Sequence, residues 1–325
     1  MKQGTPRLQH YVPQLLLRQF SGVDGKLWAY DTEKRKMFAA GPKGLAAEGY
    51  FYGATTKHAT QKSTAIENWL AKEIERPGAE ALAGLLQKRK LSTEQAHAFF
   101  TFVAAQMQRT PASLRRAIDC FAATFQETAE RIAKYEPTVR NNVIAEVKAT
   151  GATDEEISEL VQILDEGKFS VTPTRDFTIS TALSVLGLVA AELAKMRWTF
   201  LDVHPTDGDL IIGDHPVTLT DVGPQGTPAG ALGVKNPHIE IAMPLSRRMV
   251  ALAHWDGPIS YGELAPRMAD MLNERTLRHI HRFAYAPFES KQLLARAIAL
   301  RGTGPKIHTH RVQIGERLVI VTEWR

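Results

Sequence analysis

Apolar positions alternate with period two near both ends of the chain and recur with the helical period of 3.6 between them. Residues 26–31 (KLWAYD) and 36–40 (KMFAA) are alternating runs around a polar turn, the pattern of a β-hairpin. From about residue 64 the spacing changes. Ile66, Trp69, Leu70 and Ile74 stand at i, i+3, i+4 and i+8, which predicts a helix. Pro77 lacks the N–H that would continue it, so a break is predicted there, with a second helix carrying Leu82, Leu85 and Leu86. Ser92-x-x-Gln95 is a capping-box pattern ahead of an apolar run that stops at Arg109-Thr110-Pro111, and Pro111 is placed to open the next helix. Further helices are predicted over 112–134, 138–149, 154–165 and 176–196, with Thr153-x-x-Glu156 opening the third of them.

After Met196 the period returns to two, and strands are predicted over 198–203, 209–213, 239–244 and 249–255. Four Gly and four Pro between 214 and 237 predict irregular backbone there. A helix over 263–281, a strand at Phe283–Ala286 and a helix over 290–300 follow, and Ile307–Ile314 and Arg317–Trp324 close the chain as an antiparallel pair around Gly315-Glu316. The predicted fold class is α+β, a helical middle region packed against mainly antiparallel C-terminal strands with an N-terminal hairpin. The chain reads as one domain, 1–325, with hairpin region 1–60, helical region 64–196 and mixed strand and helix region 197–325.

Composition excludes classes more than it selects one. The hydrophobic fraction of 44% and charged fraction of 23% are globular values that argue against disorder, collagen-like repeats and coiled coil. The most apolar window, 182–194, carries Glu192 and is shorter than the roughly 20 residues of a bilayer crossing, so a buried helix and no membrane partner are expected. Cys120 is the one cysteine, which excludes an internal disulfide, zinc ribbons and redox CxxC pairs. With no apolar run in residues 1–12, a cytoplasmic location is expected. The net charge is +5, and residues 291–325 hold seven Lys and Arg against two Glu, so the excess lies at the C-terminal end.

Familiar signatures are missing. No GxxxxGK[ST], GxSxG, HExxH or strand-associated GxGxxG occurs, so no nucleotide cofactor, haem or iron–sulfur cluster is expected. Three local patterns carry candidate chemistry. In the first, His10-Tyr11-Val12-Pro13 is followed by Leu17-Arg18-Gln19-Phe20, and a helix after Pro13 would turn His10 and Arg18 toward a common anionic group. This HYVPxxxLRxF signature resembles that of a bacterial domain-of-unknown-function family, number four-two-three-eight. Later landmarks fit the resemblance in order: Tyr50 and Tyr52, Ile66-Glu67, Gln106, Arg109-Thr110-Pro111, Asp214-x-Pro216, Pro244-Leu245-Ser246 and Asn273. The resemblance implies a grouping along most of the chain and no reaction. His215 departs from it, since members more often carry Asn there.

The second pattern is Gln106-x-x-Arg109-Thr110-Pro111 at a helix end, where a guanidinium fork suits a carboxylate or phosphate. Its competing reading is a salt bridge inside the helical region, to Glu67 or Glu73. In the third, the apolar run Leu210-Ile211-Ile212-Gly213 ends at Asp214-His215-Pro216, an acid and an imidazole at a strand end. Against it stand an Asx-type turn cap for Asp214 and a surface position for His215. Two weaker signals are Arg275-x5-His281 on one predicted helix and Tyr50, Phe51 and Tyr52 as a stacking platform or packing anchor.

Taken together, His10, Glu67 and Asp214 are the candidate catalytic residues, with Arg18, Tyr52, Gln106 and Arg109 binding substrate. Glu67 and Asp214 are the candidate ligands of Mg²⁺ or Mn²⁺, which would activate water while Arg18 and Arg109 neutralise a phosphate. This describes a metal-assisted phosphodiester hydrolase acting on nucleic acid or another phosphate-bearing ligand. The alternatives are a non-catalytic module binding nucleic acid or protein through Arg311 and Arg317, and a buried polar network that fixes the fold.

Overall fold

The computed structural model describes residues 8–49, 51–52, 65–223, 233–256 and 260–304, and the backbone of 307–314 and 317–324. Strand β1 (Leu8–His10) leads through Pro13 into a single helical turn, α1 (Gln14–Leu17), extended by a 3-10 turn at Arg18–Phe20. Strands β2 (Leu27–Asp31) and β3 (Lys36–Ala40) form the hairpin that the alternation predicts, and β4 (Ala47–Gly49) returns to pair with β1. Helical residues 65–69 (α2) run on through a π-helical segment, Leu70–Glu75, into α3 (Arg76–Leu86). The chain therefore crosses Pro77 without the predicted break. Arg76 N–H reaches back five residues to Ala71 O, and this wider turn accommodates a residue with no N–H to give.

Helices α4 (Thr93–Gln108) and α5 (Pro111–Tyr135) meet at a sharp corner. Ser92 caps the first through a complete capping box, and Thr110 caps the second with Pro111 in its first turn. Gly78 lets α3 approach α4, since a Cβ there would stand 2.6 Å from the Phe102 ring. Helices α6 (Pro137–Ala149) and α7 (Asp154–Glu166) pack beside α5 and bury no residue fully, with Thr153 completing the second capping box. The predicted helix over 176–196 is two, α8 (Arg175–Ser184) and α9 (Leu186–Leu193), parted by a turn at Val185. Arg175–Leu193 as a whole is long and apolar enough to cross a membrane by length and composition, against the shorter window read from sequence. A third of its apolar window is buried, with Ile179, Leu186 and Leu193 in the core and Leu188 exposed, so the helix expected to be buried is buried on one face.

The C-terminal part carries two sheets. One has the order β10-β5-β9-β8-β7, from β5 (Arg197–Asp202), β7 (Thr218–Asp221), β8 (Ile239–Ser246), β9 (Met249–His254) and β10 (Ser260–Glu263); only the β10–β5 pair is parallel. The other has the order β3-β2-β11-β6 and joins the N-terminal hairpin to β11 (Phe283–Ala286) and β6 (Ile212–Gly213). The observed class is α+β with helices in the middle and mainly antiparallel strands after them. Strand β7 lies inside the Gly- and Pro-rich segment, and β6 is two residues where five were predicted. Helices α10 (Met268–His279) and α11 (Lys291–Leu300) cover the four-stranded sheet, and β12 (Ile307–Ile314) pairs with β13 (Arg317–Trp324) in the predicted register around Gly315-Glu316, which lie outside the described residues. Phe99 of α4 meets Trp198 and Phe200 of β5 edge-on at 5.3 and 5.8 Å, so the helical middle and the five-stranded sheet share one core.

Candidate functional site

Pairing of β1 with β4 fixes the start of the HYVP segment, and the short helix after Pro13 is anchored by Leu16, Leu17 and Phe20, all fully buried. Tyr11 and Val12 enter the core, where Tyr11 packs on Phe51 at 5.4 Å. His10 and Arg18 consequently stand at the two ends of an anchored turn and line the same cleft, whose volume is about 380 Å³. Its walls are His10, Gln14, Leu15, Arg18, Tyr52, Glu67, Leu70, Ala71, Glu75, Arg76, Ala79 and Arg109. Gln9 and Tyr52 lock the back of it. Tyr52 N–H donates to Gln9 Oε1 at 2.7 Å, and the Tyr52 hydroxyl donates to His10 O at 3.0 Å.

One wall is the helix that crosses Pro77. In a regular α-helix residues four apart drift by about 40° per step, because 3.6 residues complete a turn. A π segment turns less per residue and takes that drift back, so Glu67, Ala71, Glu75 and Ala79 face the same cleft. Such segments recur at functional sites.

The floor is a buried cation. Arg109 is 2% exposed and donates to Glu75 Oε1 at 2.7 Å. With the Gln106 amide turned so that its oxygen faces the guanidinium, that oxygen accepts from Arg109 Nη2 at 3.0 Å and Nε at 3.2 Å. Burial opposes the charge on Arg109, and Tyr52 and Glu75 more than offset it, so its pKa rises. Glu75 is thus the ion-pair partner, where sequence pointed to Glu67 or Glu73. Glu67 is left with a different environment. Its Oε2 is buried and meets no hydrogen-bond partner among the described residues. Burial, reinforced by the negative charge of Glu75, raises its pKa above the usual glutamate value, against the pull of Gln9 and Arg109. Burial lowers the pKa of His10, whose Nε2 donates to Lys43 O at 3.2 Å, so the neutral ring keeps its lone pair on Nδ1. Arg18 Nη2 donates to Gln14 Oε1 at 3.2 Å. Burial also pushes the Tyr52 hydroxyl up to about 12, so it remains a donor.

Asp214 is not in this cleft. It is 1% exposed, and its carboxylate accepts three backbone N–H groups at one bend: His281 on Oδ1 at 2.7 Å, Arg282 on Oδ2 at 2.6 Å and Phe283 on Oδ2 at 2.7 Å. Burial raises its pKa, and these three bonds oppose the shift. The expected pairing of Glu67 with Asp214 on one metal is therefore corrected, since both Asp214 oxygens already tie the α10–β11 bend to β6. Among the described residues, no group of three or more His, Cys, Asp or Glu side chains is arranged to hold a metal ion.

His215 is buried as well, and not at the surface. Arg116 Nη2 donates to its Nε2 at 3.0 Å, so the ring proton sits on Nδ1 and points to Thr110 Oγ1 at 2.7 Å. Thr110 Oγ1 lies 3.0 Å from Ser113 Oγ, which donates to Met107 O. Burial first, and then the positive charge of Arg116, holds the His215 pKa well below its ordinary value. The Arg109-Thr110-Pro111 corner thus divides its polar groups, Arg109 to the cleft and Thr110 to His215. Arg275 and His281 do not form a pair. Arg275 binds Glu240 and the Thr218 and Glu240 carbonyls, while His281 lies beyond the end of α10. Phe51 is 1% exposed and serves as a packing anchor; Tyr50 and the side chains of Arg311 and Arg317 lie outside the described residues.

Glu75, Arg76, Ser113 and Arg116 carry no motif in the sequence, while Thr110 stands in one without its His215 contact being indicated. Extending the helical spacing from Glu67 by two steps of four reaches Glu75, a signal hidden by reading Pro77 as a break. No curated protein and no solved structure matches the chain significantly. A family model described as "Protein of unknown function (DUF4238)" matches residues 8–288. That span runs from β1 and its His10 to the segment just after β11, and the chain belongs to this DUF4238 family.

Proposed function

We propose that this protein is a phosphodiester hydrolase that works in the His10–Glu67 cleft, with Glu67 moving a proton and Arg18 and Arg76 holding a phosphate at the rim. The observation that carries the reading is the Glu67 carboxyl itself. A carboxyl with a buried, unpartnered oxygen and a raised pKa is unfavourable for stability, and such groups concentrate where proton transfer is performed. The neutral His10 ring adds a second group able to take or give a proton, and the Arg109–Glu75 pair keeps the floor rigid.

The test is turnover of bis(p-nitrophenyl) phosphate and of a single-stranded oligonucleotide, each with Mg²⁺, Mn²⁺ or EDTA. Glu67→Gln is expected to lower kcat by about 10²-fold or more, the usual contribution of a positioned acid or base. Arg18→Gln is expected to raise KM more than it lowers kcat. Turnover that Glu67→Gln leaves at the wild-type rate, or no turnover of either probe under any of these conditions, overturns the reading.

A further inference from the structure

We propose that a second cleft, between the start of α5 and the end of α10, binds a small ligand carrying two or more phosphate charges, independently of the His10 cleft. Four guanidinium groups, Arg115, Arg116, Arg278 and Arg301, line a cavity of about 480 Å³, and Asp119 is the one carboxylate among its described lining residues.

Gathering four cations around one cavity is unfavourable unless something negative enters it. The neighbouring carboxylates take up only part of the charge. Glu274 accepts from Arg278 Nη2 at 2.6 Å, and Glu33 accepts from Arg301 Nη2 at 2.8 Å, and neither carboxylate lines the cavity. Arg115 is exposed on α5 and forms no ion pair among the described residues. Arg116 donates to the His215 ring at 3.0 Å and to Ser113 Oγ at 3.4 Å, which fixes the direction of its fork.

The two histidines that answer to this field stay neutral. His279, a lining residue, is pushed down to about 4 by burial, with the charges of Arg275 and Arg116 adding to the shift. The same Arg116 charge adds to the depression of His215.

Arginine forks pair bidentately with phosphate oxygens, and a cluster of them suits a ligand with more than one such group. The volume lies within the roughly 300–1,000 Å³ range of small-molecule sites, and a concave cavity suits a compact phosphate ester better than a polymer that follows an extended basic track. The far wall is tightly seated. A Cβ on Gly304 would stand 3.0 Å from Arg278 O, so the turn after α11 packs directly on the end of α10.

The experiment is calorimetric titration of the full chain with inorganic pyrophosphate at low salt. Saturable binding is expected, weakened about tenfold or more by Arg115→Glu and by Arg116→Gln and unchanged by Lys148→Glu, an exposed residue of α6 outside both clefts. Arg115→Glu decides the matter if Arg116→Gln does not fold, because its side chain is exposed. No saturable binding, or binding lost in Arg18→Glu and kept in Arg115→Glu, overturns the proposal. Binding of a single-stranded oligonucleotide without binding of pyrophosphate overturns it too, in favour of nucleic acid.

Discussion

Asp214 and Glu67 are both acids in apolar surroundings, and their partners separate them. Asp214 accepts from three backbone N–H groups at a part-buried bend, so Asp214→Ala should destabilise the fold by about 3 kcal/mol, read from urea unfolding. Unfolding at the wild-type midpoint would remove Asp214 from this structural role. Arg109→Met should cost about 3–5 kcal/mol, because Glu75 would lose its buried partner, and Arg109→Met with Glu75→Gln should recover part of the loss in the same unfolding series. At this scale His10, Arg18, Glu67 and Arg109 were legible as polar residues set among apolar ones. The difference between Asp214 and Glu67 was not, because it depends on backbone N–H groups 67 to 69 residues away, which no local pattern indicates.

At the scale of elements, capping chemistry was legible and backbone irregularity was not. Ser92 and Thr153 cap helices where their motifs place them and Pro111 opens α5 as its position predicts, since each signal is contained within four residues. Strand Phe283–Ala286 and the Ile307–Ile314 and Arg317–Trp324 pair carry plain alternation and form where it predicts. Pro77 was read as a stop because its missing N–H forbids the regular ladder, yet a wider turn absorbs the defect and brings Glu75 to the cleft. Pro77→Ala restores the donor and lets the ladder close regularly. The expected outcome is stability within about 1 kcal/mol of wild type together with slower turnover of bis(p-nitrophenyl) phosphate, as Glu67 and Glu75 lose their common face. Unchanged turnover would mean that the π segment does not set the geometry of the cleft. The two-residue β6 and the parallel β10 were hidden for another reason, because both depend on which neighbour is available to pair rather than on their own residues.

Across the whole molecule, the α4–α5 corner carries a polar cleft on one side and a basic one on the other, and buried histidines tie its stability to pH. Unfolded, His215 and His279 titrate near 6.5; folded, burial holds both lower, His279 at about 4. The unfolded chain therefore binds more protons between those values. Stability is complete above pH 6.5 and should fall as the pH drops below it, by up to about 1.4 kcal/mol per pH unit for each ring. Urea midpoints at pH 7, 6 and 5 measure this, and His215→Asn should flatten the slope; an equal slope in the variant would show that His215 does not titrate in this way. The central claim is that Glu67 is kept at a cost to stability because the cleft uses it. The most direct test needs no substrate: the unfolding free energy of Glu67→Gln at pH 7. Glu67→Gln is expected to be more stable than wild type, because it removes a partly desolvated charge facing Glu75. A variant less stable than wild type would contradict it and make Glu67 part of the scaffold.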